Sequence, residues 1–389
     1  MGEDRMAWHT CPLCEAGCGL EITVRDGAVT RIRGDRADVF SHGFLCPKGS
    51  ALKQLHEDPD RLRRPLVKRD GRHVEVDWPE AWHEVARILT PVVEAHGRNA
   101  VALYLGNPSA HSLSASLYLR SLARGLGTHN RFSASTVDQA PKQVAAGYMF
   151  GTPVSVPVPD LDRTSYLLIL GANPYVSNGS LCTAPDFPGR LEAIQARGGK
   201  VVVVDPRRSR TAEAADEWVA IRPGTDAHLL AAVAEVLFAD DRADPGPHVG
   251  AALNGFDELR AALAPFTPEA MAPVCGVDAG SIRRLAHELA DAPAAAVYGR
   301  IGTCTQPFGT TASWLVDVLN ILTGNLDRPG GAMFARPATG NATTRGEPGR
   351  GKGFRIGRGS SRVRGLPEVM GEYPAVTLAE EIETPGAGQ

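Results

Sequence analysis

Four cysteines near the start constrain this chain more than any other feature. Cys11, Cys14 and Cys18 form a C-x2-C-x3-C run, and Cys46 follows after a long gap in Cys46-Pro47-Lys48-Gly49. Four thiolates suffice to hold a 4Fe–4S cubane, and the short spacings let one loop present three sulfurs to it. A tetrahedral zinc ion can also take four cysteines, but its sites more often show two paired C-x2-C knuckles. The second half of this set has one cysteine only, so iron–sulfur is the better reading. Between the halves, Leu20–Val24, then Asp26-Gly27, then Val29–Ile32 predict a short hairpin able to carry a cluster at its edge.

The other three cysteines, Cys182, Cys275 and Cys304, are scattered. Nothing before Met6-Ala7-Trp8 resembles a signal peptide or a twin-arginine run, and no stretch is apolar enough for long enough to span a bilayer. The expectation is a cytoplasmic protein of a reducing compartment with no membrane association. At 389 residues the chain exceeds one ordinary domain. Its 41 basic and 44 acidic residues leave a net charge of −3, which argues against nucleic acid as a partner. The 42 glycines and 29 prolines point to a loop-rich α/β enzyme.

Along the chain, a hairpin is expected around Asp70-Gly71, with Val74, Val76 and Trp78 alternating as a half-buried strand. Asp77 then caps a helix with Pro79 in its first turn. Ala81, Trp82, Val85, Ile88, Leu89, Val92 and Val93 lie on one face of that helix, and Gly97 ends it. Val101–Leu105 reads as a buried strand followed by a helix over 112–126. Three further apolar strands, Tyr166–Leu170, Lys200–Val204 and Glu217–Ile221, alternate with helices over about 185–196 and 226–238. A last strand, Ala294–Tyr298, precedes a helix over about 310–322. This alternation means parallel sheets with right-handed crossovers, in which ligands bind beyond the carboxyl ends of the strands.

The residues at those ends are informative. They are Gly171-Ala172-Asn173-Pro174, Asp205-Pro206-Arg207-Arg208 and Arg222-Pro223-Gly224-Thr225-Asp226. Asp205 can bond ribose hydroxyls or a guanine edge, while Arg207 and Arg222 offer forked donors to phosphate. The helix opened by Thr225-Asp226 presents free N–H groups to an anion. No G-x-G-x-x-G follows these strands, which disfavours ordinary NAD binding. Any one of these turns is compatible with a plain connection; three at one sheet edge favour a nucleotide site. The Gly- and Arg-rich stretch up to Arg364 offers an RNA-binding reading, but it lacks interleaved aromatics beyond Phe354.

On these motifs, together with Asp77-Trp78-Pro79-Glu80-Ala81 and Leu322-Thr323-Gly324-Asn325-Leu326, the chain resembles the molybdopterin oxidoreductase superfamily. That superfamily uses two molybdopterin guanine dinucleotides on molybdenum or tungsten. It includes formate dehydrogenases, nitrate reductases and polysulfide, thiosulfate and sulfoxide reductases. The likeness is nearest to the cluster-containing, cytoplasmic branch around formate dehydrogenase and assimilatory nitrate reductase. The resemblance implies that Cys11, Cys14, Cys18 and Cys46 ligate a 4Fe–4S cluster and that Lys48 relays electrons between cluster and pterin. It implies that Asn173, Asp205, Arg207, Arg222 and Asp226 hold one guanine dinucleotide, and that Gly299, Arg300, Thr323 and Asn325 approach the other pterin. The implied chemistry is two-electron redox or oxygen-atom transfer on a small substrate, with electrons passing to an external donor or acceptor protein.

Two departures accompany the likeness. Counting from Asp138, the family's cysteine, selenocysteine or serine ligand to the metal falls on Val144, between Gln143 and Ala145, and valine cannot coordinate. Cys304, His111 and Lys142 are pocket candidates with equally good structural readings. Relatives also continue into a β-rich domain that closes over both dinucleotides, so the chain is expected to be a fragment unable by itself to hold the pterin, one subunit of a split enzyme whose partner chain supplies that domain, or an unusually short protein. The expected fold is α/β: an iron–sulfur domain over 1–60, a Rossmann-like guanine-dinucleotide domain over 136–295, and a discontinuous α/β pterin domain from 61–135 and 296–389. The rival from another class is a non-catalytic iron–sulfur electron-transfer or scaffold subunit. Such a subunit has no need of Asp205, Arg207 and Arg222 together.

Overall fold

The computed structural model describes residues 5–179, 182, 184–336 and 354–386. They fall into two compact units, Met1–Thr136 with Ile356–Gln389, and Val137–Arg355.

The first unit opens on a three-stranded antiparallel meander, β1 (Arg5–Thr10), β2 (Gly19–Arg25) and β3 (Ala28–Gly34). Asp26 and Gly27 both have positive φ, 50° and 80°, which is the mirror-image two-residue turn that suits the right-handed twist of paired strands. The same turn at Asp70-Gly71 joins β4 (Leu66–Arg69) to β5 (Arg72–Glu75). The short helix α1 (Pro47–Ser50) begins directly at Cys46. Trp78, expected to end a strand, instead opens α2 (Trp78–His96), because the Asp77 side chain accepts from Glu80 N at 2.9 Å and starts the helix there.

A two-stranded parallel sheet follows, β6 (Leu103–Leu105) beside β7 (Arg131–Ser133), with α3 (Leu113–Leu126) between them. The returning segment lies along β7: Tyr373 N donates to Arg131 O, and Ser133 Oγ to Glu372. Two strands offer little area to cover. The apolar face of α2 accordingly stays in solvent, with no buried residue along the helix and Trp82 60 % exposed. Leu117 and Tyr118 of α3 are exposed as well.

The second unit is built on four parallel strands in the order β11-β10-β9-β12, namely Glu217–Val219, Lys200–Val204, Tyr166–Leu170 and Ala295–Gly299. Every residue of β9 is buried. Leu168 and Leu170 face one core and Leu167 and Ile169 the other, as a sheet covered on both sides requires. In chain order the covering helices are α4 (Ala140–Phe150), α5 (Phe187–Ala196), α6 (Asp226–Ala239), α7 (Pro268–Cys275), α8 (Ala279–Asp291) and α9 (Gly309–Leu322).

The boundary expected between 295 and 296 falls inside β12. Because β12 pairs with β9 and α9 packs on it, residues 296–336 stand with the nucleotide sheet in this unit rather than with 61–135. A small antiparallel pair, β8 (Pro157–Pro159) with β13 (Ala332–Phe334), completes the unit.

Among the described residues the outer edge of β12 has no strand paired to it, and side chains bond it at alternate residues. Asn325 Oδ1 accepts from Ala295 N, Asn320 bonds both N and O of Val297, and Lys142 Nζ donates to Gly299 O. Covering an edge in this way removes a template for unwanted pairing.

Candidate functional site

The chain reverses direction across the sheet between β9 and β12: the next strands in sequence, β10 and β11, lie on one side of β9, and β12 lies on the other. Crevices form at the carboxyl ends on either side of such a switch point. Here the two strand ends meet backbone to backbone. Gly171, at φ +56°, accepts from Gly302 N at 3.0 Å, and a Cβ on Gly302 would lie 2.6 Å from the Gly171 Cα. Only glycine fits either position, so the crevice floor is bare backbone.

Seven of the nine nucleotide candidates are at this carboxyl edge. Asn173 follows β9, and its Oδ1 accepts from Thr211 Oγ1 at 2.7 Å. Asp205 follows β10, and its side chain accepts from Arg207 N at 2.8 Å, leaving the Arg207 guanidinium exposed. Burial pushes the Asp205 carboxyl up, opposed by that N–H and by the Arg207 charge. Arg222 is partly committed elsewhere: its Nη1 donates to Pro273 O and Val274 O, capping the carboxyl end of α7. Asp226 begins α6 at 6 % exposure. Burial raises its pKa, the Gln306 side chain opposes this by hydrogen bonding, and the Asp205 charge adds to it. Gly299 and Arg300 close the row after β12, with Arg300 N donating to Leu170 O.

Thr323 and Asn325 are not there. They lie at the amino end of β12, a strand's length away, about 16 Å. Thr323 Oγ1 caps Leu319 O, Asn325 Nδ2 bonds both oxygens of Thr323, and Thr323 borders a polar cleft with Arg242, His248 and Arg328. Both residues are claimed by the edge-covering of β12. Three pocket candidates also have structural settings. Lys142 is buried on Gly299 O, and the Cys304 thiol is buried 3.6 Å from Ser313 Oγ. His111 is half-buried, and among the described residues its Nε2 has no partner. Val144 is half-buried on α4. Gln306, donating to Gly302 O at 2.7 Å and drawing the pKa of Asp226 down against its burial, is a crevice residue the strand-end motifs did not reveal.

In the first unit the four thiols gather under the meander. All are free; Cys11, Cys18 and Cys46 are buried, and Cys14 is half-buried. Cys11 N donates to Cys18 O at 2.8 Å, Gly17 turns the loop at φ +60°, and Cys46 is the residue from which α1 starts. Leu13, Leu20, Ile22, Ile32, Phe44, Leu45 and Leu52 wrap this group in apolar side chains. Burial pushes the Cys18 thiol up to about 11, reinforced by the charges of Cys11, Cys14 and Cys46. Burial also raises Cys11, and the exposed Lys48 ammonium counters in part. Four thiols, three of them buried, gathered in an apolar wrapping hold as thiolates only around strong positive charge, and the set fits an iron–sulfur core. Among the described residues no group of three or more Cys, His, Asp or Glu side chains is drawn together as tightly as a single metal ion requires.

Comparison with known proteins decides the family. The molybdopterin oxidoreductase model matches residues 61–388, and that of the molybdopterin oxidoreductase Fe4S4 domain matches residues 5–57. The chain belongs to the molybdopterin oxidoreductase family. These two matches indicate a molybdopterin cofactor with its metal and a 4Fe–4S cluster.

Among curated relatives, the chain is 28 % identical to the nitrate reductase of Symbiobacterium thermophilum, over 84 % of this chain and 44 % of the relative. It is also 28 % identical to formate dehydrogenase H of Escherichia coli, over 82 % of this chain and 44 % of the relative. The solved structure of acetylene hydratase from Pelobacter acetylenicus is similar with a TM-score of 0.71 at 25 % identity, over 82 % of this chain and 43 % of that one. The chain thus spans about half the length of the relatives it matches. Among the described residues no helix is long and apolar enough to cross a membrane.

Proposed function

We propose that this chain is the cluster- and pterin-binding part of a molybdenum- or tungsten-dependent oxidoreductase. It would act by two-electron redox or oxygen-atom transfer on a small substrate, in the cytoplasm. The observation that carries this reading is the crevice between β9 and β12. Its floor is the glycine–glycine backbone contact, and one rim carries Asn173, Asp205, Arg207 and Asp226.

The bare floor lets a pyrophosphate or pterin approach the backbone closely. Arg207 faces solvent and is free to meet phosphate, while the Asp205 and Asp226 carboxylates accept from ribose hydroxyls or a base edge. Lys142 and Gly299 hold the far rim in place from behind. When bound, the metal–dithiolene group supplies the two-electron chemistry. The chain's own residues bind and orient it and keep its inner side dry.

Cys11, Cys14, Cys18 and Cys46 would hold the 4Fe–4S cluster, and Lys48, whose charge acts on Cys11, would favour an added electron there. An external redox protein would exchange those electrons. The relatives act on nitrate, formate and acetylene by their names, so the substrate class rests on the site rather than on any one of them.

The test is the iron, molybdenum and tungsten content per chain after anaerobic purification. About four irons with about one molybdenum or tungsten is the expected result. Four irons with neither heavy metal would instead assign an electron-transfer subunit.

A further inference from the structure

Phe308, the residue from which α9 starts, has a backbone conformation that phenylalanine rarely takes. Its φ is +61°, in the left-handed region, where Cβ crowds the backbone and a bulky residue is an outlier. Its ring is 64 % exposed, so burial does not offset the strain. Strain of this kind persists only where the surroundings impose it, and such residues gather at ligand sites.

Here the surroundings are the crevice. Gln306, two residues earlier, donates to Gly302 O on the crevice floor at 2.7 Å and lies near enough to the Asp226 carboxyl to draw its pKa down against burial. Pro307 lies 3.5 Å from where a Cβ on Gly224 would be, just before the head of α6. The Phe308 ring itself packs against His228 in the first turn of α6, with centroids 5.8 Å apart and planes at 86°. The segment 306–308 therefore runs along the head of α6, with the Phe308–His228 ring contact holding it there. The result is an exposed aromatic ring beside a buried carboxylate.

We propose that Phe308 is the surface on which the guanine base of the bound dinucleotide stacks, while Asp226 accepts hydrogen bonds from the edge of the same base. The proposal rests on the dinucleotide reading of the crevice and adds the residue that recognises the base by its face. Stacking on an aromatic ring contributes to binding for every base, because every base has a π-face. A carboxylate adds selection, since the guanine edge presents adjacent N–H donors at N1 and N2 where adenine presents an acceptor at N1.

The test uses the holo chain with wild-type Phe308, Phe308→Gly and Phe308→Trp, measuring GMP released by acid from each folded chain before and after long dialysis. Glycine adopts φ +61° without strain. Phe308→Gly should therefore melt no lower than wild type, yet lose its GMP about tenfold faster on dialysis. Phe308→Trp should keep it. Equal retention by Phe308→Gly and wild type overturns the proposal. So does a loss that comes with a lower melting temperature and is not restored by tryptophan, which would mark a folding role. Wild-type protein that releases no GMP at all would refute the dinucleotide reading itself, a separate failure.

Discussion

Asn325 is 2 % exposed, and its side chain accepts from Ala295 N at 3.1 Å while donating to both oxygens of Thr323. Asn325→Ala would leave a buried strand N–H without a partner, a loss of about 1–3 kcal/mol. Urea unfolding should show that loss, with GMP content per folded chain unchanged. A fall in GMP without a fall in stability would return Asn325 to the cofactor site. The residue shows where sequence reading of the site stopped. Asp205 and Asp226 were legible because each stands just past an apolar strand, and in a parallel sheet that position is the ligand edge. Thr323-Gly324-Asn325 follows a helix, and a helix returns the chain to the opposite edge. The motif's order along the chain does not say which. Arg222 stands at the right edge, but half of its fork is spent on carbonyls of α7, whose position depends on packing over 51 residues of separation. Phe308 could not be read at all, since backbone strain leaves no mark in composition.

Helix α4 packs on α9 where Lys142 and Asp317 are both buried, close enough for the Lys142 charge to act on the carboxyl. Asp317 is 2 % exposed, and burial pushes its carboxyl up to about 6, with Lys142 the one charge drawing it down. A carboxyl whose folded pKa lies above its ordinary value of 3.8 keeps its proton longer in the folded state. Between about pH 4 and pH 6 the unfolded chain therefore binds fewer protons, and stability falls as pH rises until it levels off near 6. Lys142→Met removes the attracting charge, so the fall should continue to higher pH. The urea midpoint measured from pH 4 to pH 8 checks this, and an unchanged plateau would count against the Lys142 effect. At the scale of elements the sequence was mostly readable. The two Asp-Gly hairpins, the Asp77 cap and all four strands of the second sheet follow from turn chemistry and apolar runs. What it lacked were β1, whose residues Arg5–Thr10 are largely exposed and show no apolar alternation, and the three-residue strands β7, β8 and β13. The buried strand expected over Val101–Leu105 is only Leu103–Leu105, with Tyr104 exposed because its sheet has a single partner strand.

For the whole molecule, the amphipathic face of α2 poses the largest question. Trp78 and Trp82 stack on each other with centroids 6.2 Å apart, and both remain exposed, as do Val85 and Ile88. Single soluble domains rarely expose so much contiguous apolar surface. The chain by itself should therefore bind bis-ANS strongly and associate at micromolar concentration. Trp82→Lys combined with Ile88→Glu should lower both several-fold without lowering the melting temperature, and undiminished dye binding by that variant would place the exposed surface elsewhere. The strand order of the second unit bears on time as well as shape. Tyr166 of β9 pairs with Ala295 of β12, 129 residues later, while β10 arrives within 34 residues. At roughly 5–20 residues per second of synthesis, the 95 residues from Lys200 to Ala295 put about 5–19 seconds between the first side of the switch point and the second. Until β12 arrives there is no glycine floor and no far rim. The crevice thus forms only after its first rim has stood exposed for some seconds, and whatever delivers the pterin must wait until β12 has joined the sheet.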